Sequence, residues 1–480
     1  MHLRGVIWTV GILTALFGVG MMLPAIVALH FDTGNAHHFV VAGCSVSLLG
    51  LICMRFTGKK PDRLSHRDGF LIVALAWLIL SFLGAMPFWT TGTCTTLMDG
   101  LFESTSGLTT TGATILTGLD KLPPSILFWR SMQEWLGGMG IIVLAIAVMP
   151  LLGVGGMQLF RAETPGPVKN KLTSRVTETA KVLWFIYLAM TLICMLLLWG
   201  AGMSLFDAIN HAMCTVAIGG FSTHDASIGY YYDEIMIRWT IIIFMFLAGI
   251  NFTLHFAALK RGFSLKGYLQ DEEFKVYCKW LIFLIISIAI ISYDSNHVPW
   301  QDVVFNTVAV ATTTGFAVSD YAQWPSATAL LMIAAMFVGA CAGSTGGGMK
   351  VVRVLLLWRQ GMREIMRLIH PHALFPVKIG QQGISNEIMQ TLWGFFILYM
   401  ICYAVIATLL AVTGVDILTS LSATAACLTN TGPGFAQVGP ANNYADLPQA
   451  GKGILLFAMI LGRLEIFTFF VLLVPEFWRK

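Results

Sequence analysis

The chain of 480 residues is 56% hydrophobic and only 11% charged, less than half the roughly 25% charged fraction of soluble domains. Such a composition turns most of the surface toward lipid, and a net charge of +4 gives no reason to expect a nucleic-acid partner. Nine cysteines, odd in number and without a CxxC pair, argue against a disulfide framework or a zinc site and read as small buried hydrophobes.

From Arg4 the chain enters an apolar run that lasts to about Leu29. That exceeds the roughly 7–15 apolar residues of a signal peptide, and no small-x-small cleavage site follows, so the run is expected to remain as a first span. A span needs roughly 20 apolar residues. Runs at 5–29, 38–56, 70–91, 125–150, 181–203, 236–259, 275–293, 326–349, 388–413 and 453–474 qualify, the seventh with Lys275 and Lys279 snorkelling at its end.

The connections alternate in charge. Arg55, Lys59, Lys60, Arg63 and Arg67 fall on one side, as do Arg161, Lys169, Lys171, Arg175 and Lys181. Lys260, Arg261 and Lys266 follow, then Lys350, Arg353, Arg359, Arg363 and Arg367. The opposite side carries Asp99, Asp120, Asp207, Asp225, Asp233, Asp294, Asp302, Asp320, Asp416 and Asp446. The positive-inside rule then puts both termini in the cytoplasm.

The acidic-side segments contain a repeat. DGLFESTSGLTTTGAT begins at Asp99, DAINHAMCTVAIGGFS at Asp207, DVVFNTVAVATTTGFA at Asp302 and TSLSATAACLTNTGPG at Thr419. They align without gaps, and a glycine stands thirteen residues after each start, at Gly112, Gly220, Gly315 and Gly432. An apolar run precedes and follows every copy, and Arg130 and Arg238 hold matching places in two of the following runs. About thirteen residues of helix rise roughly 20 Å and cross only part of the hydrocarbon. Backbone that stops at that depth must be buried in protein or line a wet cavity. Asp or Thr at each start suits an N-cap.

The expected fold is an all-α polytopic membrane protein of about ten transmembrane helices. Two helices occupy residues 1–69, and four span–pore-helix–filter–span repeats surround one pore, at 70–160, 161–262, 263–379 and 380–480. Four half-helices pointing inward would bring their partially negative C-terminal ends toward one axis. Backbone carbonyls after each could then replace the water of a monovalent cation, with glycine permitting the turn. Thr110-Thr111-Gly112 and Thr313-Thr314-Gly315 carry the Thr-rich, glycine-ended pattern of potassium filters, Asn430-Thr431-Gly432 less fully, and Ile218-Gly219-Gly220 only at the glycine.

The eighth run is broken by Gly339, Gly343, Gly346, Gly347 and Gly348 before Lys350. Each Gly costs a helix about 1 kcal/mol relative to Ala, so Gly343-Ser344-Thr345-Gly346-Gly347-Gly348 is expected to be a loop at depth and a gate below the filter. Close packing through small residues is the plainer reading of the same stretch. Arg463 lies deep in the last span, where a charge needs partners or water. Either it pairs with Glu465 or helix carbonyls, or it sets its charge against the conduction path.

With those residues in view the chain resembles the Trk/Ktr family of potassium-uptake proteins. Besides the four segments, GGMGIIVLAIAVMPLLGVGGMQL at Gly137–Leu159, GGFSTHDASIGY at Gly219–Tyr230, GACAGSTGGGMK at Gly339–Lys350 and LGRLEIFT at Leu461–Thr468 carry the likeness. It covers essentially the whole chain. The resemblance implies potassium uptake across a bacterial inner membrane, with potassium the transported ion and no bound cofactor. It also implies a homodimer with one pore per subunit and a cytosolic nucleotide-binding TrkA-like ring as regulator. Family members use the loop matching Gly343–Gly348 as an obstruction below the filter. Related plant transporters that favour sodium carry Ser at the first filter glycine, where this chain has Gly112.

The rival readings are a secondary transporter of another small substrate and a sodium-preferring cation transporter. Transporter folds often show inverted repeats and paired intramembrane charges. Here the repeats all begin on one side, and the acids at depth are few: Glu103, Glu134 and Glu465. His211, His224 and His255 form no metal or nucleophile spacing, so an enzyme is not expected.

Overall fold

A computed structural model describes residues 2–58, 64–148, 176–260, 262, 264–293, 298–380 and 382–479. The basic residues Lys59, Lys60, Arg63, Arg161, Lys169, Lys171, Arg175 and Arg261, together with Asp294, lie outside them, as does the whole run 149–175.

Among the described residues six helices are long and apolar enough to cross a membrane, and eight if each of two bent pairs is one span. The expected count of about ten differs for identifiable reasons. The helix Pro124–Val148 ends where the described residues end, and Ser326–Val338 stops short as the glycine-rich stretch begins. A two-residue ladder, Lys378–Ile379 against Gln382–Gly383, is the only strand pairing among the described residues.

At the N-terminus, Leu3–Gly20 and Ala36–Thr57 pack through small residues. A β-carbon on Gly50 would lie 2.5 Å from the Gly11 carbonyl oxygen, and one on Gly43 would lie 2.6 Å from that of Gly18. Close backbone approach of this kind is how helices associate where no hydrophobic force separates them from lipid.

Four short helices, Leu97–Leu108, Leu205–Ala217, Trp300–Ala311 and Ile417–Leu428, are 12 or 13 residues long. At about 1.5 Å per residue they reach about 18–20 Å, short of the roughly 30 Å hydrocarbon. Their lower halves are buried throughout, Glu103 to Leu108 and Asn210 to Ala217 for example.

Their N-caps lie three residues before the positions the aligned acids suggested. Thr96 and Ser204 accept the N–H groups of Asp99 and Asp207 at 3.1 and 3.0 Å, and Asp416 accepts that of Thr419 at 2.9 Å. Asp99 and Asp207 stand at the third helical position instead, where each carboxylate accepts from the cap hydroxyl at 2.6 Å. Negative charge still lies in the first turn, where it favours the helix dipole. The third helix begins after Pro299 without a side-chain cap.

Two spans are sharply bent. Ile235–Ala248 and Phe252–Lys260 meet at 94°, and Gln449–Arg463 and Phe467–Leu473 at 108°. The first break falls at a glycine, Gly249. The second has neither Gly nor Pro at its centre: Glu465 and Ile466 take φ of 53° and 52°, left-handed values rare for side-chain-bearing residues.

Candidate cation pore

After each short helix the chain repeats one backbone figure. Thr110, Ile218, Thr313 and Asn430 have φ between 52° and 66°, and the glycine two residues on, at 112, 220, 315 and 432, has φ between 75° and 96°. Between them the N–H of Thr111, Gly219, Thr314 and Thr431 reaches back five residues, to the carbonyls of Ser106, Cys214, Ala309 and Ala426, at 2.8–2.9 Å. This is a Schellman-type helix end built without glycine at its left-handed residue. Left-handed conformation costs an L-residue about 1–2 kcal/mol, and it persists only where the surroundings over-determine it.

The four figures close into a ring. A β-carbon on Gly112 would lie 2.1 Å from the Gly219 carbonyl oxygen, and one on Gly220 would lie 2.1 Å from that of Thr314. On Gly315 it would meet the oxygen of Thr431 at 2.0 Å, and on Gly432 that of Thr111 at 2.5 Å. Each glycine thus packs on the residue preceding the next glycine, and the fourth returns to the first. All twelve residues expected at the filter lie in this ring, buried or, at Gly112 and Gly220, half-buried.

Sequence reading missed a threonine layer just beneath. Thr109, Thr312 and Thr429 bond through their hydroxyls to Thr111, Thr314 and Thr431, all at 2.7 Å, and each also donates to the carbonyl four residues back. The signal was present as a threonine three before the glycine in three of the four copies. In the second copy Ala217 takes that place, and Glu134 supports the loop from behind by accepting the Phe221 N–H at 3.1 Å.

The glycine-rich stretch crosses the base of the ring. Thr345 donates to the Val216 carbonyl at 3.1 Å, Gly347 N–H to the Thr313 hydroxyl at 2.7 Å, and Gly348 N–H to the Thr429 carbonyl at 3.0 Å. It therefore touches the ends of the second, third and fourth short helices at once. On its other side it joins the broken span: Cys341 N–H donates to Gly249 O at 3.0 Å and Phe252 N–H to Gly343 O at 3.1 Å.

Arg463 is buried beside this loop. Its two terminal nitrogens donate to the carbonyls of Thr345 and Gly137, both at 3.2 Å. Of the alternatives weighed for it, pairing with Glu465 does not occur; Glu465 pairs instead with Arg353 at 2.7 Å, because the bend at Glu465–Ile466 swings that carboxylate toward Val351–Ile369. Arg353 itself is buried over the Phe395 ring at 4.4 Å. Among Arg353, Arg359, Arg363 and Arg367, it is therefore not part of an exposed basic face.

Apolar spans enclosing buried half-helices and a four-loop ring define a polytopic helical membrane protein. Residues 37–480 match the sequence profile of the TrkH family, described as cation transport protein. The chain belongs to that family, a transport family rather than an enzyme family. It is 45% identical to the Trk system potassium uptake protein TrkH of Vibrio parahaemolyticus across 100% of both chains. Identity to the Trk system potassium uptake protein TrkG of Escherichia coli K12 is 36%, over 100% of this chain and 99% of that one. The crystal structure of the potassium transporter TrkH from Vibrio parahaemolyticus is similar at a TM-score of 0.92 and 42% identity, covering 100% of both chains.

Proposed function

We propose that this protein takes up potassium across the bacterial inner membrane, through a filter formed by the loops at Thr110–Gly112, Ile218–Gly220, Thr313–Gly315 and Asn430–Gly432. The observation that carries the reading is the cyclic packing of each filter glycine on the carbonyl before the next. A closed ring of backbone oxygens is what a partly dehydrated cation requires, and it makes little demand on side chains, consistent with the divergent second loop. The names of the relatives supply the ion, and glycine at all four ring positions favours potassium over the sodium-preferring alternative.

The loop Gly343–Gly348 acts as the gate, with Arg463 holding its Thr345 carbonyl and placing positive charge beneath the filter. Both termini are cytoplasmic, by the basic connections. The assembly is a homodimer regulated by a cytosolic nucleotide-binding TrkA-like ring that bears on Val351–Ile369. A pull on that helix would reach the gate directly through Lys350 and the bend beside Arg463 through the Arg353–Glu465 pair. Regulation then follows from different affinity of the ring for open and obstructed states.

Expression in cells lacking their own potassium-uptake systems tests the reading. Growth should be restored at low external potassium, and adding a TrkA-like subunit should increase it. Failure to grow, with the protein present in the inner membrane, would refute potassium uptake.

A further inference from the structure

Behind the ring, every return strand is held by a polar side chain from its own short helix. Glu103 accepts the Ile115 N–H at 3.0 Å and the Thr114 hydroxyl at 2.9 Å. His211 donates from Nδ1 to the Asp207 carbonyl at 2.9 Å, which leaves Nε2 to accept from the Ser222 hydroxyl at 3.0 Å in the neutral ring. Asn306 Oδ1 accepts the Val318 N–H at 3.2 Å, and Ser422 Oγ accepts that of Phe435 at 3.0 Å. The first three stand four residues after their repeat's first residue and the last stands three after. Sequence alignment passes over them because the four side chains share no chemistry.

One of the four, Glu103, is joined to the neighbouring loop through Arg130. Arg130 donates from Nε to Glu103 at 2.7 Å and from Nη2 to the Thr114 hydroxyl at 3.2 Å. Its Nη1 donates to the Ser222 carbonyl at 2.9 Å, two residues past Gly220. The guanidinium lies over the Phe221 ring at 4.1 Å, and the pair is buried, with side chains 1% and 0% exposed. Arg238, at the matching place in the second repeat, pairs instead with Asp302 and Gln301 at the start of the third short helix. Of these two arginines, Arg130 is the one that grips the strands that leave two neighbouring ring glycines.

We propose that the Glu103–Arg130 pair is a specificity-determining positioning unit that fixes the spacing between the first and second filter loops. It touches no ion; it acts through the carbonyls on either side of Gly112 and Gly220. The second loop lacks the threonine layer that stiffens the other three, so its place depends on His211, Glu134 and Arg130. Arginine is needed because a planar fork can satisfy the carboxylate and the Ser222 carbonyl together, whereas an ammonium is a single point charge.

The inference rests on the reading of the ring as a cation filter, and the test separates the two. Wild type, Glu103→Gln and Arg130→Lys are purified, checked for monodisperse folded protein, and placed in liposomes. Relative fluxes of lithium, sodium, potassium and rubidium are then measured. Arg130→Lys keeps a positive charge for Glu103 but cannot also hold Ser222, so it decides the matter if Glu103→Gln fails to insert. The potassium-over-sodium ratio should fall about tenfold in either variant, since a misplacement of about 1 Å at a positioned site costs up to about a hundredfold and losing one contact of the pair shifts the loops by a fraction of that. A merely stabilising pair would lower yield, or all four fluxes together, without changing their ratios. Unchanged ratios in folded Arg130→Lys overturn the proposal while leaving the filter reading intact. A wild type that does not discriminate among the four ions overturns both.

Discussion

Gly112 lies directly against Gly219: a β-carbon added to the first would stand 2.1 Å from the carbonyl oxygen of the second. Real β-carbons do not approach oxygen so closely, and φ at Gly112 is 75°, a region that side chains other than Gly rarely adopt. Gly112→Ser must therefore displace the Gly219 carbonyl and turn the Thr111–Gly112 backbone. The potassium-over-sodium flux ratio is expected to fall by about tenfold or more, equivalent to about 1.4 kcal/mol in relative barrier. A variant that folds and keeps the wild-type ratio would show that this contact does not set selectivity.

The glycine-rich loop makes a second prediction. Three hydrogen bonds tie it to the ends of three short helices, through Thr345, Gly347 and Gly348. Deleting Gly346–Gly348 removes two of those ties and shortens the span across the axis. Basal potassium flux should rise severalfold and depend less on a TrkA-like subunit. If the deletion protein inserts and folds but conducts no faster alone, the loop is packing and not a gate.

Orientation is testable by thiol labelling. In a background without the native cysteines, Cys introduced at exposed Asn442 should react with an impermeant reagent added outside intact cells. Cys introduced at exposed Arg367 should react only after permeabilisation. The reverse pattern would place the ring's acidic side in the cytoplasm.

A pH prediction concerns the acidic side. His224 stacks on the Tyr230 ring at 3.6 Å and pairs with Asp120 and with Asp207, the latter at 3.7 Å. Partial burial disfavours its charge, but the Asp207 and Asp120 carboxylates outweigh this and raise its pKa above the ordinary value. Asp120, against its own desolvation, is lowered through His224 and the Asp225 N–H. The His224 contribution is fully present below about pH 6.5, the range of free imidazole, and is lost as pH rises through the raised folded value. That of Asp120 holds above the usual carboxylate range and fades as pH falls below it. The melting-temperature gap between wild type and His224→Gln should therefore be largest near pH 5–6 and shrink by a few degrees on raising the pH. A gap independent of pH would remove the charge pair from the account.

Much of this architecture was legible because repeats and apolar runs are local patterns. The glycine register at 112, 220, 315 and 432 could be read without a fold, since a left-handed turn in a crowded ring leaves few alternatives to glycine. What escaped depends on distant partners. Arg130 and Arg238 share a place in the repeat yet hold different groups, Glu103 with Ser222 in one case and Asp302 with Gln301 in the other. The bend at Glu465–Ile466 has no Gly or Pro to announce it; it is accompanied by the Arg353 contact from another helix. The caps at Thr96 and Ser204 were hidden because the aligned aspartates three residues later look like caps themselves.

The most direct measurement of the central claim is cation flux through the purified protein in liposomes, with potassium and sodium compared and a pH gradient imposed or withheld. A four-loop carbonyl ring predicts potassium flux well above sodium flux under matched gradients. Equal potassium and sodium flux, or no potassium flux from folded protein with or without a TrkA-like subunit, would contradict it.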